Sequence, residues 1–354
     1  MNHTTKKTNS AQAKPGAGRD FFAGYKFNKK FLDPIVKLIE KHDKFILTTH
    51  IGSDPDGLGS QVGIYQLLKK LKKKVIIINA EKVPDNYAFM VSGVNVKNTE
   101  SDLQEIEKMN LAGYLLLILD NSEIKRVGKI LEICAQFKCP LATIDHHIVD
   151  KQKNMFVDDS YAATSEIVWE LYRYLKIPMS RETAVSLYCG IIADTGNFRY
   201  SKTSMRTHIA GGDLLDHGVN SDEVYRFIYE SSPPDRLVLL KRILDKAVIN
   251  SEKNYVAAFV KKSMFKKLKL GDTPTEGIVN QFLAVKGIKI SALMTETPGG
   301  DLKCSLRSID DVNVAALAKK FGGGGHKNAA GLFIKGPFME SAKKVIAEIE
   351  KTLK

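Results

Sequence analysis

Phe45-Ile46-Leu47-Thr48-Thr49-His50-Ile51-Gly52-Ser53-Asp54-Pro55-Asp56-Gly57-Leu58-Gly59-Ser60 decides how this chain is read. Five strand-forming residues run into a histidine and then into a Gly/Pro/Asp loop. Beyond the loop, Ile64, Leu67, Leu68 and Leu71 recur at i, i+3, i+4 and i+7, the spacing of one helix face. The order is strand, loop, helix, and it repeats. Val75 to Ile78 reads as a second strand, Tyr114 to Leu119 as a third running into Asp120, and Leu141 to Ile144 as a fourth running into Asp145. Ala184, Leu187, Tyr188 and Ile191 mark a helix that ends close to Asp194. This alternation predicts an α/β fold built on a parallel sheet. His50, Asp120 and Asp145 each fall just past the carboxyl end of a strand, where open α/β sheets hold their ligands.

Pro233-Pro234 punctuates the chain, and a helix with Leu237, Leu240, Leu244 and Ala247 on one face is expected to bridge to a second domain. That domain carries strands at Tyr255 to Val260, Ile288 to Thr295, Leu302 to Ser308 and Ala330 to Ile334. An apolar helix is expected over Val314 to Phe321, and a terminal helix bears Ala342, Val345, Ile346, Ile349 and Leu353. The expected division is a disordered tail over 1–22, a catalytic domain over 23–230, a linker helix over 231–250 and a substrate-binding domain over 251–354. The smaller second domain is expected to be α/β with a mixed sheet, and a cleft is expected between the two domains.

The composition agrees with two domains. The chain has 354 residues, 44% of them apolar, which is enough for real cores and too many for a disordered protein. No run approaches the roughly 18 to 20 apolar residues of a membrane span, and the polar N-terminus lacks the apolar core of a secretory signal. Cys134, Cys139, Cys189 and Cys304 are scattered without a C-x-x-C pair. They are expected to pack as small apolar residues in a reducing cytoplasm. The 53 basic and 40 acidic residues leave a net charge of +13, which favours anionic partners.

The chemistry concentrates in a few segments. In His50-x-x-x-Asp54-x-Asp56, two carboxylates and an imidazole offer the oxygen and nitrogen ligands that suit divalent ions such as Mn²⁺, Fe²⁺ or Zn²⁺. An ordinary Asp/Gly turn would explain that segment alone. Asp145-His146-His147 after a β-run is more specific, because one imidazole can ligate an ion while the other meets the substrate. Asp120 and Asp194 both follow apolar residues, where an acid is costly without a cation. In the second domain, Gly322-Gly323-Gly324-Gly325-His326 can converge backbone N–H groups on an anion, although a flexible turn would also account for four glycines. Beside it, period two puts Leu302, Cys304 and Leu306 on one strand face, and Lys303, Ser305 and Arg307 on the other. That second face suits a phosphate or a base.

Together these segments resemble the DHH phosphoesterases. His50-x-x-x-Asp54-x-Asp56, Asp120, Asp145-His146-His147 and Asp194 look like that family's four motifs. Gly322-Gly-Gly-Gly-His326 with Asn328-Ala-Ala-Gly331 looks like its associated C-terminal domain. The likeness runs from about residue 30 to the end. It implies two divalent ions, manganese by preference, roughly 4 Å apart and activating water. His50 and Asp54 would hold one ion, Asp56, His146 and Asp194 the other, with Asp120 bridging. Asp145 would support the site from behind and His147 would face the scissile phosphate. Ser305, Arg307, Gly323, Gly324, Gly325 and His326 would contact nucleotide.

Within the family, the two-domain length is similar to that of the stand-alone oligoribonucleases. These degrade very short RNAs and dephosphorylate 3′-phosphoadenosine 5′-phosphate (pAp); relatives of the same layout hydrolyse cyclic di-AMP or its linear product pApA. The expected function is accordingly a cytoplasmic, metal-dependent phosphodiesterase and exonuclease acting on such substrates without a membrane, in a homodimer. The alternatives are a cyclic di-AMP or pApA phosphodiesterase, a non-catalytic nucleotide-binding module that would have lost a ligand, and a pyrophosphate or polyphosphate hydrolase that would lack the glycine-histidine signature.

Overall fold

The computed structural model describes residues 24–147, 154–270, 274–275 and 277–353. The tail expected over 1–22 lies outside the described residues. Two compact units meet in sequence between Ser231 and Ser232.

In the first unit, the strands are β1 (Lys44–Thr48), β2 (Lys74–Asn79), β3 (Val96–Asn98), β4 (Leu115–Leu119), β5 (Leu141–Asp145) and β6 (Met155–Val157). The helices are α1 (Lys29–Lys41), α2 (Pro55–Lys70), α3 (Leu103–Glu107), α4 (Ile130–Gln136), α5 (Thr164–Tyr174), α6 (Arg181–Asp194), α7 (Met205–Asp216) and α8 (Ser221–Tyr229). All the strands pair in parallel, in the order β3-β2-β1-β4-β5-β6. The order reverses between β1 and β4, so their carboxyl ends open a crevice there. Side chains alternate across the sheet. Phe45, Leu47, Leu115, Leu117 and Leu119 join α1, α2, α5 and α6 on one face, while Ile46, Leu116 and Ile118 meet Ile106, Ile130 and Ile133 on the other. Burial on both faces explains why β4 reads Leu-Leu-Leu-Ile-Leu without a polar residue.

One boundary moves in a way that matters. Asp54, Pro55 and Asp56 were expected on a loop ahead of the helix, yet α2 starts at Pro55. Asp54 is its N-cap: Oδ1 accepts the N–H groups of Asp56 and Gly57 at 3.1 and 3.0 Å. Proline at the first helical position loses no hydrogen bond there. Asp56 is therefore on the first turn of the helix. At the other end Leu71, expected on the buried face, caps α2 and is 38% exposed, whereas Ile64, Leu67 and Leu68 are buried.

The second unit comprises α9 (Asp235–Leu244), β7 (Val248–Asn250), β8 (Tyr255–Val260), α10 (Ile278–Phe282), β9 (Ile290–Glu296), β10 (Leu302–Ser308), α11 (Val314–Lys319), β11 (Gly324–His326), β12 (Ala329–Ile334) and α12 (Phe338–Thr352). Its mixed sheet runs β11-β12-β10-β9-β8-β7, with β8 and β9 parallel and the other pairs antiparallel. Helices α11 and α12 cover one face, with Ala342, Val345 and Ile349 buried, and α9 and α10 cover the other. The apolar face expected on α9 is corrected. Leu239 and Ile243 are buried, while Leu237 and Leu244 are exposed and the helix ends before Ala247. The sequence there carries two apolar stripes, and the one facing Val256, Ala258 and Phe282 is buried.

The glycine run, for which a flexible turn was the alternative to an anion-binding segment, is in part a strand. Gly324 to His326 form the edge strand β11, with Gly324 opposite Gly331 and His326 opposite Ala329. A Cβ at Gly323 would lie 2.3 Å from the carbonyl oxygen of Gly331, so glycine is required where the chain enters the sheet. All four cysteines are free; Cys134, Cys189 and Cys304 are buried and Cys139 is half-buried. No described helix is long and apolar enough to cross a membrane.

Candidate metal centre

The strand ends and the helix termini bring eight predicted residues of the first unit into one cluster. Ligand atoms of His50, Asp54 and Asp120 lie within 4.8 Å of one another, and so do those of Asp56, His146 and Asp194. A third group, at the same limit, joins Asp120 and His146 to Asp145 and His147. Asp120 is thus common to two groups. It follows β4 in left-handed backbone (φ 56°), an uncommon state for aspartate that costs energy and marks a built site. Its N–H still donates to Ile144 at 3.0 Å, continuing the ladder to β5, and its Oδ1 accepts the Thr164 hydroxyl at 3.0 Å.

Both histidines nearest the carboxylates have their tautomer set by the backbone. His50 Nδ1 is 3.0 Å from the carbonyl of Ile51, and His146 Nδ1 is 3.3 Å from that of Tyr161. A carbonyl only accepts, so Nδ1 carries hydrogen and Nε2 is the ring nitrogen left to face the carboxylates, free to ligate an ion when unprotonated. His50 Nε2 lies 3.5 Å from Asp54 Oδ2 and 3.7 Å from Asp120 Oδ2. His146 Nε2 lies 2.9 Å from Asp194 Oδ2, 3.6 Å from Asp120 Oδ1 and 3.8 Å from Asp56 Oδ2. It is buried with no hydrogen-bond partner. A buried ring nitrogen without a hydrogen-bond partner, facing three carboxylates, fits a shared cation.

The charges point the same way. Burial, then the neighbouring Asp194, pushes Asp56 up to about 6. Burial and Asp54 push Asp194 up to about 7, and burial and Asp56 raise Asp120 well above the usual carboxylate range. Burial would lower His50, but Asp120 and Asp54 outweigh it and raise it to about 11. Carboxylates crowded in this way hold protons until a cation displaces them.

Asp145 differs. Its Oδ1 accepts the N–H of His146 at 2.7 Å and meets His147 Nδ1 at 2.7 Å, while Oδ2 accepts the Ser122 hydroxyl at 2.6 Å. Burial opposes ionisation, but these partners, His147 foremost, hold its carboxyl down at about 2. Asp145 is thus an anion that fixes the His147 ring, whose Nδ1 is 3.7 Å from Asp120 Oδ1.

Some of the residues that build the cluster carry no motif and were missed. The turn Ser160 to Ser165 touches three candidate ligands: Tyr161 O meets His146, the Thr164 hydroxyl meets Asp120, and the N–H groups of Thr164 and Ser165 meet Asp56 Oδ2 and Oδ1 at 2.6 and 2.8 Å. Arg206 fixes that turn from behind. It donates to Ser160 O, pairs with buried Glu166 at 3.2 Å and lies 3.6 Å over the Tyr161 ring. Ala163-Thr164-Ser165-Glu166 carries the composition of a helix start, a signal that was available. Ser122 and Arg206 had none.

Of the second-unit residues expected to contact nucleotide, Ser305, Arg307, Gly324, Gly325 and His326 lie on its sheet and Gly323 immediately precedes it. Ser305 on β10 pairs with Gly331, which pairs with Gly324; Arg307 pairs with Ala329, which pairs with His326. Glycine and alanine between them leave a low floor, and a Cβ at Gly324 would meet nothing within 4 Å. The His326 side chain lies outside the described residues.

Residues 44–191 match the family model described as "DHH family, N-terminal domain", and residues 252–354 match the "DHHA1 domain". The chain is 30% identical over 307 residues to the bifunctional oligoribonuclease and PAP phosphatase NrnA of Mycoplasma pneumoniae, covering 85% of this chain and 90% of that protein. It is 25% identical over 325 residues to the protein of the same name from Bacillus subtilis, covering 90% and 98%. An exopolyphosphatase-related protein from Bacteroides fragilis superposes with a TM-score of 0.84 at 27% identity, over 92% of this chain and 96% of that one.

Proposed function

The chain belongs to the DHH family, with a DHHA1 domain following the DHH domain, and on that basis we propose a two-metal phosphodiesterase that removes nucleotides from short oligoribonucleotides and dephosphorylates pAp. It is a hydrolase of phosphoester bonds. The observation that carries the metal reading is the buried His146 Nε2, without a hydrogen-bond partner and facing Asp56, Asp120 and Asp194. The substrate reading is supported by the two relatives named oligoribonuclease and PAP phosphatase, which match it over 90% and 98% of their own length.

His50 and Asp54 would hold one divalent ion and Asp56, His146 and Asp194 the other, with Asp120 shared; manganese is the ion expected. Bound there, the ions would lower the pKa of a water and offset charge on attacking and leaving oxygens. The protein's own part is positional. Asp145 takes the Nδ1 hydrogen of His147, leaving Nε2 as the nitrogen with which that ring can meet a phosphate oxygen. Ser305, Arg307 and the Gly323-Gly324-Gly325-His326 edge would grip the nucleotide. Action in the cytoplasm, as a homodimer, completes the proposal.

The test incubates purified protein and Mn²⁺ with pAp, short RNA, pApA, cyclic di-AMP, long single-stranded DNA and pyrophosphate. Turnover of pAp and short RNA is expected. Turnover confined to pyrophosphate overturns the nucleotide reading, and turnover confined to cyclic di-AMP or pApA reassigns the substrate.

A further inference from the structure

We propose that Lys202 is a ligand of the substrate's phosphate, held beside the acid cluster by a left-handed turn. The inference rests on the phosphoesterase reading above.

Asp194 ends α6, and the chain then passes through Gly196, Asn197 and Phe198 with φ of 56°, 60° and 62°. Successive left-handed residues persist only where their surroundings over-determine them. They do so here. The Thr195 hydroxyl donates to Ile191 O at 2.6 Å and accepts the Phe198 N–H at 2.9 Å. Thr195 O accepts the N–H groups of Arg199 and Tyr200 at 2.9 and 2.8 Å, and Asn197 donates to Ile192 O at 2.7 Å. The Phe198 ring stacks on His208 at 5.2 Å. Tyr200 folds back so closely that a Cβ at Gly196 would lie 2.4 Å from its ring.

This rigid turn delivers Lys202 Nζ to 3.3 Å from the carbonyl of His146, the candidate ligand itself. Lys202 is half-buried and pairs with no carboxylate among the described residues. An ammonium has three donors, so one carbonyl leaves hydrogens to spend. The surroundings need a cation. Asp54, Asp56, Asp120, Asp145 and Asp194 bring five carboxylates together, more charge than two divalent ions neutralise, before an anionic phosphate arrives. A fixed positive charge at the edge of that cluster offsets the repulsion and orients a phosphate oxygen. Nothing else in the turn explains why a lysine is half-buried against the carbonyl of a candidate ligand, close enough for its charge to act on Asp194 yet in no salt bridge among the described residues.

The experiment compares wild type, Lys202→Met and Lys202→Arg, each loaded with Mn²⁺. Inorganic phosphate is titrated by calorimetry, and KM and kcat for pAp are measured in parallel. Lys202→Met is expected to weaken phosphate about tenfold and raise KM more than it lowers kcat. Lys202→Arg should stay within about threefold of wild type, since it keeps the charge. Mn²⁺ affinity should be the same in all three. Unchanged phosphate affinity in Lys202→Met overturns the proposal, as does a wild type that binds no phosphate. A joint loss of Mn²⁺ and phosphate binding without rescue by arginine also overturns it, because it shows a structural tether. A wild type that binds phosphate through Lys202 yet hydrolyses no phosphoester upholds this inference while refuting the function above.

Discussion

Thr164 donates its backbone N–H to Asp56 Oδ2 at 2.6 Å, a contact that joins the first turn of α5 to the first turn of α2. With Ser165 on Oδ1, both carboxylate oxygens rest on the N-terminus of α5, where unpaired N–H groups favour an anion. Asp56→Asn keeps the shape but turns an NH₂ toward an N–H. It is expected to lower kcat by about a thousandfold or more and to abolish one of two Mn²⁺ sites. Full Mn²⁺ stoichiometry by calorimetry in that variant would contradict the assignment.

Asp120 belongs to two ligand groups, so its loss should uncouple both. Asp120→Ala is expected to reduce Mn²⁺ from two ions per chain to one or none and to eliminate turnover. Retained full activity would refute the shared-ligand reading.

Arg206 touches no candidate ligand directly, yet it fixes the turn that touches three. Arg206→Met would leave Glu166, fully buried, without its cation, at a cost of about 3–5 kcal/mol. Loosening Tyr161 and Thr164 should also weaken Mn²⁺ by roughly 10–100-fold. The double variant Arg206→Met with Glu166→Gln should recover much of the melting temperature and little of the metal affinity. Recovery of both together would show that Arg206 serves stability alone.

The metal-free protein should have an unusual pH profile. Asp56 at about 6, Asp194 at about 7 and Asp120, raised further, all bind protons more tightly folded than unfolded, where a carboxyl titrates near 3.8. They stabilise the fold at low pH, and that contribution is lost as pH rises from about 4 through 7. His50, raised to about 11, likewise contributes fully below 6.5 and is lost above it. Asp145, held at about 2, acts in the opposite sense but only below about 4. With chelator present, the melting temperature should therefore fall between pH 5 and 8 by on the order of 5 °C. Mn²⁺ should reverse the trend and release protons on binding. A flat chelated profile would refute the account of the crowded acids.

Arg307, on the second unit's sheet, is expected to act on binding alone. Arg307→Ala should raise KM for pAp about tenfold with kcat little changed and the Mn²⁺ isotherm unaltered. A fall in kcat without a change in KM would place Arg307 elsewhere in the mechanism.

Most of the fold was legible because buried parallel strands leave uninterrupted apolar runs, and Leu115 to Leu119 is the clearest. The convergence of His50, Asp120 and Asp145 followed from one rule about strand ends. What stayed hidden depended on tertiary contacts. The start of α2 was misplaced because Gly57 and Gly59 look like loop residues, whereas Asp54 capping and Pro55 make them helical. The strand within the glycine run went unseen because an edge strand without side chains has no hydrophobic period. Arg206 and Lys202 were illegible for another reason: a single cation far along the chain carries no pattern until the fold sets it against Ser160 or His146.

The strand order has a further consequence. β1 pairs with β4, about seventy residues later, and α6 supplies Asp194 later still. None of the three ligand groups can be assembled from one local segment. The acids should therefore converge late in folding, after most of the loop entropy of a non-local sheet has been lost. A nascent chain would capture its ions only once essentially the whole first unit is in place. Metal uptake during refolding should then lag behind the recovery of helical signal, making ion capture a clock for the completed fold.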